Sequence, residues 1–487
     1  MMLQRLLASA FVACLAAGLL VQSGTAVSEA QGPITFSQHV APILFANCTG
    51  CHRPGEAAPF QLMNYRDARP LAKAIAAATS ARIMPPWKAS ASDVEFANAR
   101  RLTDTEIDTI QRWVADGALE GDAKLTPPLP KFTEGWQLGP PDLAVSMNEA
   151  FEVPASGPDV YRSFVVPLNL DHDVWVRAVD FRPSARTVVH HSLFFLDATG
   201  VARERDESDP GPGFQGSMGG GVRLGGRGAG GGLAGLLGGG GADDPPVDPI
   251  SRVAGGLGGW ALGGRALELP DGLAFPVPKG SDLILSTHFH PSGKAQMEKS
   301  TVGLYFAPGP PTQAFTTIQL PPLFGVFEGV DIPAGQERYT IQDSFVIPID
   351  VKAFSVGAHA HYIAKEMKLT ATLPDGAVKT LLWIKDWDFS WQERYRFKDF
   401  VTLPKGTRLD AIVSYDNSPA NKRNPSRPPV RVTWGEESTD EMGSIGLQVV
   451  SATRGELPQL QRAFNAHLRT AATTRPGLKQ LLQRRAR

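Results

Sequence analysis

Cysteine is nearly missing from this chain, with three residues in 487. Cys14 sits in an apolar run near the N-terminus, which leaves Cys48 and Cys51 for everything else. At most one disulfide is possible, so a disulfide scaffold is excluded and the fold must hold by packing. Charge of one sign is missing too. The formal charge is −1, with no basic stripe or acidic block, so nucleic acid is not an expected partner. No His-Glu-x-x-His occurs, which removes the common zinc-protease arrangement. The glycine-rich stretch has no following Lys-Ser/Thr, so it is not a phosphate loop. After the first 30 residues no apolar run is long enough to cross a bilayer.

What is present begins with a leader. Arg5 supplies charge, Leu6 to Val21 an apolar run, and cleavage after Ala26 or Ala30 fits the small residues that follow; no twin-arginine precedes it. Residues 1–30 are read as a secretory signal. The expected location is periplasmic or secreted, with no transmembrane anchor in the mature chain. The length calls for two or three domains.

Residues 33–125 read as helical. Phe36 to Asn47 is amphipathic, and Leu71 to Ser80 is alanine-rich after Pro70. Thr103-Asp104-Thr105-Glu106 is a capping box leading into the apolar face of Ile107, Ile110, Trp113 and Val114, and Gly117 ends that helix. Residues 126–141 form a proline-containing linker. Beyond Asp142, short β-rich runs alternate with turn residues, as in Val174 to Phe181, Thr187 to Leu196, Leu283 to His288, Lys368 to Leu373, Leu381 to Ile384 and Leu409 to Tyr415. The predicted fold class is multidomain: an N-terminal all-α domain, then two antiparallel β-sandwich (jelly-roll-like) subdomains over 142–310 and 311–456. A glycine-rich surface insertion at 210–264 interrupts the first, and a partly helical basic tail spans 457–487.

Histidine is scarce, with ten residues, but seven of them fall in four clusters. The first is Cys48-Thr-Gly-Cys51-His52. Cys-x-x-Cys-His is the attachment signature of c-type haem, and a disulfide or redox pair does not explain the histidine. His52 is then the proximal iron ligand. Met84, in Ile-Met-Pro-Pro-Trp, is the chosen sixth ligand, and Met63 is its competitor. The region resembles cytochrome c domains, in which a methionine before prolines commonly caps the iron.

The other clusters are His190-His191, His288-Phe-His290 and His359-Ala-His361. Strand residues at i and i+2 face the same way, so the last two pairs can each grip one ion. Adjacent His190 and His191 can share an ion only at a bulge or strand end. Imidazole with an optional thioether suits copper. In their order, Val-Val-His190-His191, Ser-Thr-His288-Phe-His290-Pro-Ser-Gly-Lys, Gly-Ala-His359-Ala-His361 and Thr-Asp-Glu-Met442 resemble the copper type II, ascorbate-dependent monooxygenases. This family includes the peptidylglycine α-hydroxylating and dopamine β-monooxygenases. The resemblance spans roughly 142–450 and implies two copper ions. His190, His191 and His288 match an electron-transfer copper, and His359, His361 and Met442 an oxygen-binding one. His290 stands as a substitute for His288 or a supporting partner. Met367 rivals Met442 by proximity. Tyr415-Asp-Asn417-Ser is either a cavity wall or a plain turn.

The resemblance implies an exported haem–dicopper monooxygenase. O2 would hydroxylate a C–H bond of a small-molecule or peptide substrate, with electrons from an external donor entering through haem c. Two departures from the family stand out. Animal members carry several disulfides, and the glycine-rich insertion falls between the second and third ligands of the first site. The alternatives are a non-catalytic electron-transfer or copper-binding protein on the same scaffold, and a zinc hydrolase that needs neither Met442 nor haem.

Overall fold

A computed structural model of the chain describes residues 32–56, 58–90, 92–132, 135–215, 256–261, 264–435 and 437–485. The leader at 1–30 and most of the glycine-rich stretch lie outside the described residues. The molecule is mostly β-sheet, and helices make up 20% of the residues that can be interpreted.

The expected fold class is therefore corrected. No long N-terminal all-α domain forms. Its helices are short: Ala41–Asn47, Tyr65–Ala68, Ala72–Ser80 and Asp104–Ala115. Prolines and glycines at 54, 55 and 59 and the Pro85-Pro86 pair stop helix propagation between them. A small core still gathers the helices around Phe36, whose ring packs against Phe45, Tyr65 and Trp113. The predicted capping box is present, with Thr103 and Glu106 each satisfying the other's free peptide N–H. Residues 87–100 leave this core. Trp87 and Phe96 pack on Tyr395, and Ala89 and Phe96 bridge to Ile384 and Phe397. Ala89 is buried in the core of the β-sheets downstream, and Trp87 and Phe96 pack against that core, partly buried.

The β region is likewise not two jelly-roll sandwiches. Among the described residues its strands divide among six sheets: two of five strands, two of four and two of two. One five-stranded sheet orders Leu143–Ser146, Thr301–Phe306, Val174–Arg182 and Leu267–Glu268, with Phe275–Val277 also on Val174–Arg182. The other orders Phe214–Gln215, Val160–Pro167, Asp282–Phe289, Val189–Asp197 and Gly256–Ala261. Both contribute to one apolar core that includes Val176, Phe181, Phe194, Leu285 and Leu304. The strand Asp282–Phe289 is buried along its whole length, as a central strand should be.

The four-stranded sheets are Phe315–Leu320, Gly443–Ser451, Val351–Ala360 and Arg394–Leu403, and Tyr339–Val346, Arg408–Tyr415, Ala364–Thr372 and Val378–Ile384. They share a second core containing Leu369, Leu382, Val413 and Leu447. In Tyr339–Val346 buried Ile341, Asp343 and Phe345 alternate with exposed neighbours, the period-two signature of a half-buried strand.

Both described ends of the glycine-rich stretch are strands rather than free surface loop. Gly256–Ala261 pairs with Val189–Asp197, placing Ala261 opposite His191. Gly258 is required there: it has φ +105°, and a Cβ would lie 2.6 Å from Leu267. The linker is pinned as well, since the Gln137 peptide N–H donates to Asp180 at 2.6 Å. Among the described residues no helix is long and apolar enough to cross a membrane.

Candidate metal centre

The first histidine group is made by a bulge. Across the ladder between Val189–Asp197 and Asp282–Phe289, His191 faces His288 and Val189 faces Phe289, so His190 is the extra residue. A bulge re-aims side chains that would otherwise point to opposite faces. The His190 and His191 rings therefore both lie near His288, at 5.1 and 4.8 Å between centroids. His288 Nδ1 and His191 Nδ1 are 3.3 Å apart. Two imidazole nitrogens about 2.0–2.1 Å from one tetrahedral ion would be separated by about 3.3 Å. His190 Nδ1 is buried with no hydrogen-bond partner. Such an orphaned lone pair beside two other imidazoles is what a metal ligand looks like without its ion.

His288 is oriented from behind. Its Nε2–H donates to Asp159 Oδ2 at 2.8 Å, leaving Nδ1 for the cluster. A carboxylate in this position fixes a ligating histidine's tautomer. His290 donates to the other carboxylate oxygen at 2.7 Å and stacks on His190 at 5.0 Å. It is thus placed as a supporting partner, half exposed, rather than a replacement for His288. Tyr362 OH donates to Asp159 at 2.7 Å, which ties the second β region to the first. Burial alone would raise the Asp159 carboxyl, but hydrogen bonds from His288, Tyr362 and His290 hold it below the usual range.

The second group lies at the end of Val351–Ala360. The His359 and His361 rings are 5.4 Å apart and perpendicular. His359 Nε2 is 3.1 Å from Met442 Sδ. His361 Nδ1–H donates to the Asp440 carbonyl at 3.1 Å. Buried Glu441 organises the turn: its carboxyl accepts from the peptide N–H groups of His361, Ile363 and Met442 at 3.0, 2.7 and 3.2 Å. Burial pushes this carboxyl up to about 8, against the pull of those N–H groups. Gly443 follows Met442 because a Cβ would lie 2.3 Å from Tyr415 OH. Burial holds His190 and His359 down to about 4 and His361 to about 3, and drives His191 well below its ordinary value. All four are neutral at pH 7, the form that binds metals.

The groups are neighbours. Gln392 Nε2–H donates to His191 Nε2 at 3.4 Å, and His359 Nδ1–H donates to Gln392 Oε1 at 2.5 Å. Phe389 packs against His191, His288 and His361. As the side chains stand, no set of three or more His, Cys, Asp or Glu among the described residues closes around one point. The Met442 thioether is a further donor beside His359, and the hydrogen bond between His288 and His191 is one that a metal would replace, so the 3.3 Å pair and the orphaned His190 Nδ1 suit an ion.

Other sequence candidates separate cleanly. Met367 is fully buried in the second core, a packing residue. Asn417 donates to the carbonyls of Ile332, Pro333 and Val430, so Tyr415-Asp-Asn417-Ser is a structural turn. The sequence reading missed Asp159, Tyr362, Phe389, Gln392 and Glu441. Only Glu441 had a signal, its place directly before Met442.

In the Cys48–His52 motif both thiols are free. Burial, with Cys51 and Glu106 nearby, pushes Cys48 up to about 12. His52 Nδ1–H donates to the Phe60 carbonyl at 3.1 Å, so Nε2 is free for iron. The Phe60 ring packs against the imidazole, tilted by 39° with centroids 4.5 Å apart. A cavity of about 450 Å³ opens along the 53–61 loop with Asp67 and Leu71. Met84 stands 37% exposed after the Ala72–Ser80 helix. Two free thiols and a histidine with Nε2 unengaged are the donor set that a covalent haem needs, but the cavity is lined by none of the three, and Met84 makes no contact that singles it out over Met63. The motif is tied to the histidines: Glu56 pairs with Arg186 at 2.6 Å, four residues before His190.

No protein-family model matches the chain, and no curated protein matches it. Among solved structures the chain is similar to the VP2 subviral particle of infectious bursal disease virus, at 9% identity over 66% of this chain and 73% of that one, TM-score 0.16. The structure of the Gx strain of that virus gives 10% identity over 64% and 73%, also TM-score 0.16. Likeness this slight carries no argument about fold or function.

Proposed function

We propose that this chain is an exported haem–dicopper monooxygenase. One copper would be held by His190, His191 and His288, the other by His359, His361 and Met442, and haem c by Cys48, Cys51 and His52, with Met84 as sixth ligand. When bound, these groups supply one-electron transfer and activation of O2 for hydroxylation of a substrate C–H bond. The protein's own part is to keep the imidazoles neutral by burial, to fix His288 through Asp159, and to hold His361 and Met442 together through Glu441. The thioether of Met442 favours a reduced, soft ion beside His359.

The observation that carries the reading is the bulge at His190, which gathers three histidines from two strands beside a His-His-Met group. Metal analysis of the purified chain should give two coppers and one haem, and the reduced protein should consume O2 with a hydroxylated product. Zinc in place of copper, with no O2 uptake by the reduced protein, would overturn it. One feature favours a second reading, electron transfer without catalysis: Phe389 packs between the groups, where a substrate would compete for space. Full copper and haem loading with no product from any C–H substrate would select that reading.

A further inference from the structure

Gln392 hydrogen-bonds to a histidine of each group, and its amide carries one acceptor and one donor toward them. His359 presents Nε2 to Met442 and turns Nδ1 to Gln392. His191 presents Nδ1 to His288 and turns Nε2 to Gln392. A neutral imidazole that binds metal through one nitrogen carries its proton on the other. With both groups loaded, His359 Nδ1–H and His191 Nε2–H would both point at Gln392, whose one carbonyl oxygen lies on the His359 side while its NH2 lies toward His191. Turning the amide over does not help, because one N–H then faces the amide NH2 whichever way it lies. Without metal the conflict is absent. Gln392 donates to His191 Nε2, His191 Nδ1–H donates to His288 Nδ1, and His288 Nε2–H donates to Asp159.

We infer that Gln392 couples the two groups antagonistically, so that metal binding at His359-His361-Met442 takes the amide carbonyl and weakens metal binding at His190-His191-His288. The carbonyl already lies on the His359 side, which makes that group the first to load. By linkage the effect is reciprocal. Losing one hydrogen bond to a buried N–H sets its size at about tenfold in affinity.

This inference rests on the copper reading above, and the experiment separates their failures. Metal-stripped full-length protein is titrated with cupric ion by calorimetry, and each step is assigned by electron paramagnetic resonance. In the wild type the second ion should bind about tenfold more weakly than the same group binds in His359→Leu, where the competitor for the carbonyl is gone. In Gln392→Glu two carboxylate oxygens can accept both N–H groups, and the second step should tighten about tenfold. If both groups load but neither variant moves the second constant by more than twofold, the antagonism is wrong and the copper reading stands. If neither group takes up copper, both are wrong.

Discussion

Glu441 offers the sharpest test of how the second histidine group is held. It is fully buried, and its carboxyl receives the peptide N–H groups of His361, Ile363 and Met442. Glu441→Ala leaves three buried donors unpaired, each costing about 1–3 kcal/mol, so about 3–6 kcal/mol is expected once partial relaxation is allowed. That is a large part of the ~5–15 kcal/mol that stabilises a domain. With the carboxyl pushed up to about 8, the side chain is mostly neutral at pH 7, so truncation recovers little cost of burying a charge. Glu441→Gln keeps one acceptor oxygen and should lose about half as much.

The pH dependence follows from the same shift. A folded value above the unfolded one means that the native state holds the proton more tightly. This stabilisation is complete below about 4.5 and is lost as pH rises through about 8. The stability difference between wild type and Glu441→Gln should therefore shrink across that window. Urea unfolding, with hydrogen exchange at the His361, Ile363 and Met442 amides, measures both effects. Unfolding of Glu441→Ala within 0.5 kcal/mol of the wild type, at about the noise of such comparisons, would refute the clamp.

Three further outcomes are expected. The proposed copper should stay bound down to about pH 5, because burial holds metal-free His190 and His359 near 4 and protons do not compete for them above it; release centred near the ordinary histidine value of ~6.5 in an equilibrium dialysis series would contradict this. Met442→Ala should impair turnover while leaving the first group loaded, whereas His190→Ala should lower copper content to about one ion per chain; full copper and normal O2 uptake in both would remove the metal assignment. Asp159→Asn should weaken copper at the first group about 10–100-fold, since His288 loses its carboxylate partner, and competition against a chelator would show it.

The local elements were largely legible in the sequence because they rest on short-range rules. The Thr103–Glu106 capping box and the strands around Val174, Leu283 and Leu409 follow from capping and period two. The fold class was not. Trp87 and Phe96 fit a helical apolar pattern as well as the sheet that partly buries them, and only the long-range bridges to Ile384 and Phe397 decide between the two. The histidine clusters announced themselves by spacing, but the His190 bulge depends on how two strands 97 residues apart come into register. Asp159 and Gln392 had no signal at all. Each is an ordinary polar residue until chain crossing sets it beside an imidazole.

The same crossing brings the haem motif to the histidines, and by a route that linker length alone does not provide. Arg100 lies near enough to Cys51 that its charge opposes the effect of burial on that thiol. Its guanidinium pairs with Glu393 at 2.8 Å, and the neighbouring residue is Gln392, which touches both His191 and His359. Glu56 and Arg186 make a second tie from the loop after His52 to the strand that carries His190. Two ion pairs between partly shielded groups thus join residues near the motif to residues near each histidine group. Trp87 and Phe96, partly buried against Tyr395 and Phe397, add to the attachment. A flexible tether would only raise the local concentration of an electron donor. A docked one fixes its distance, so under the proposed function the rate of haem oxidation by the histidine groups should be independent of protein concentration and should fall when Arg100 or Arg186 is replaced; stopped-flow traces at several dilutions would show a rate that scales with concentration if the docking is wrong.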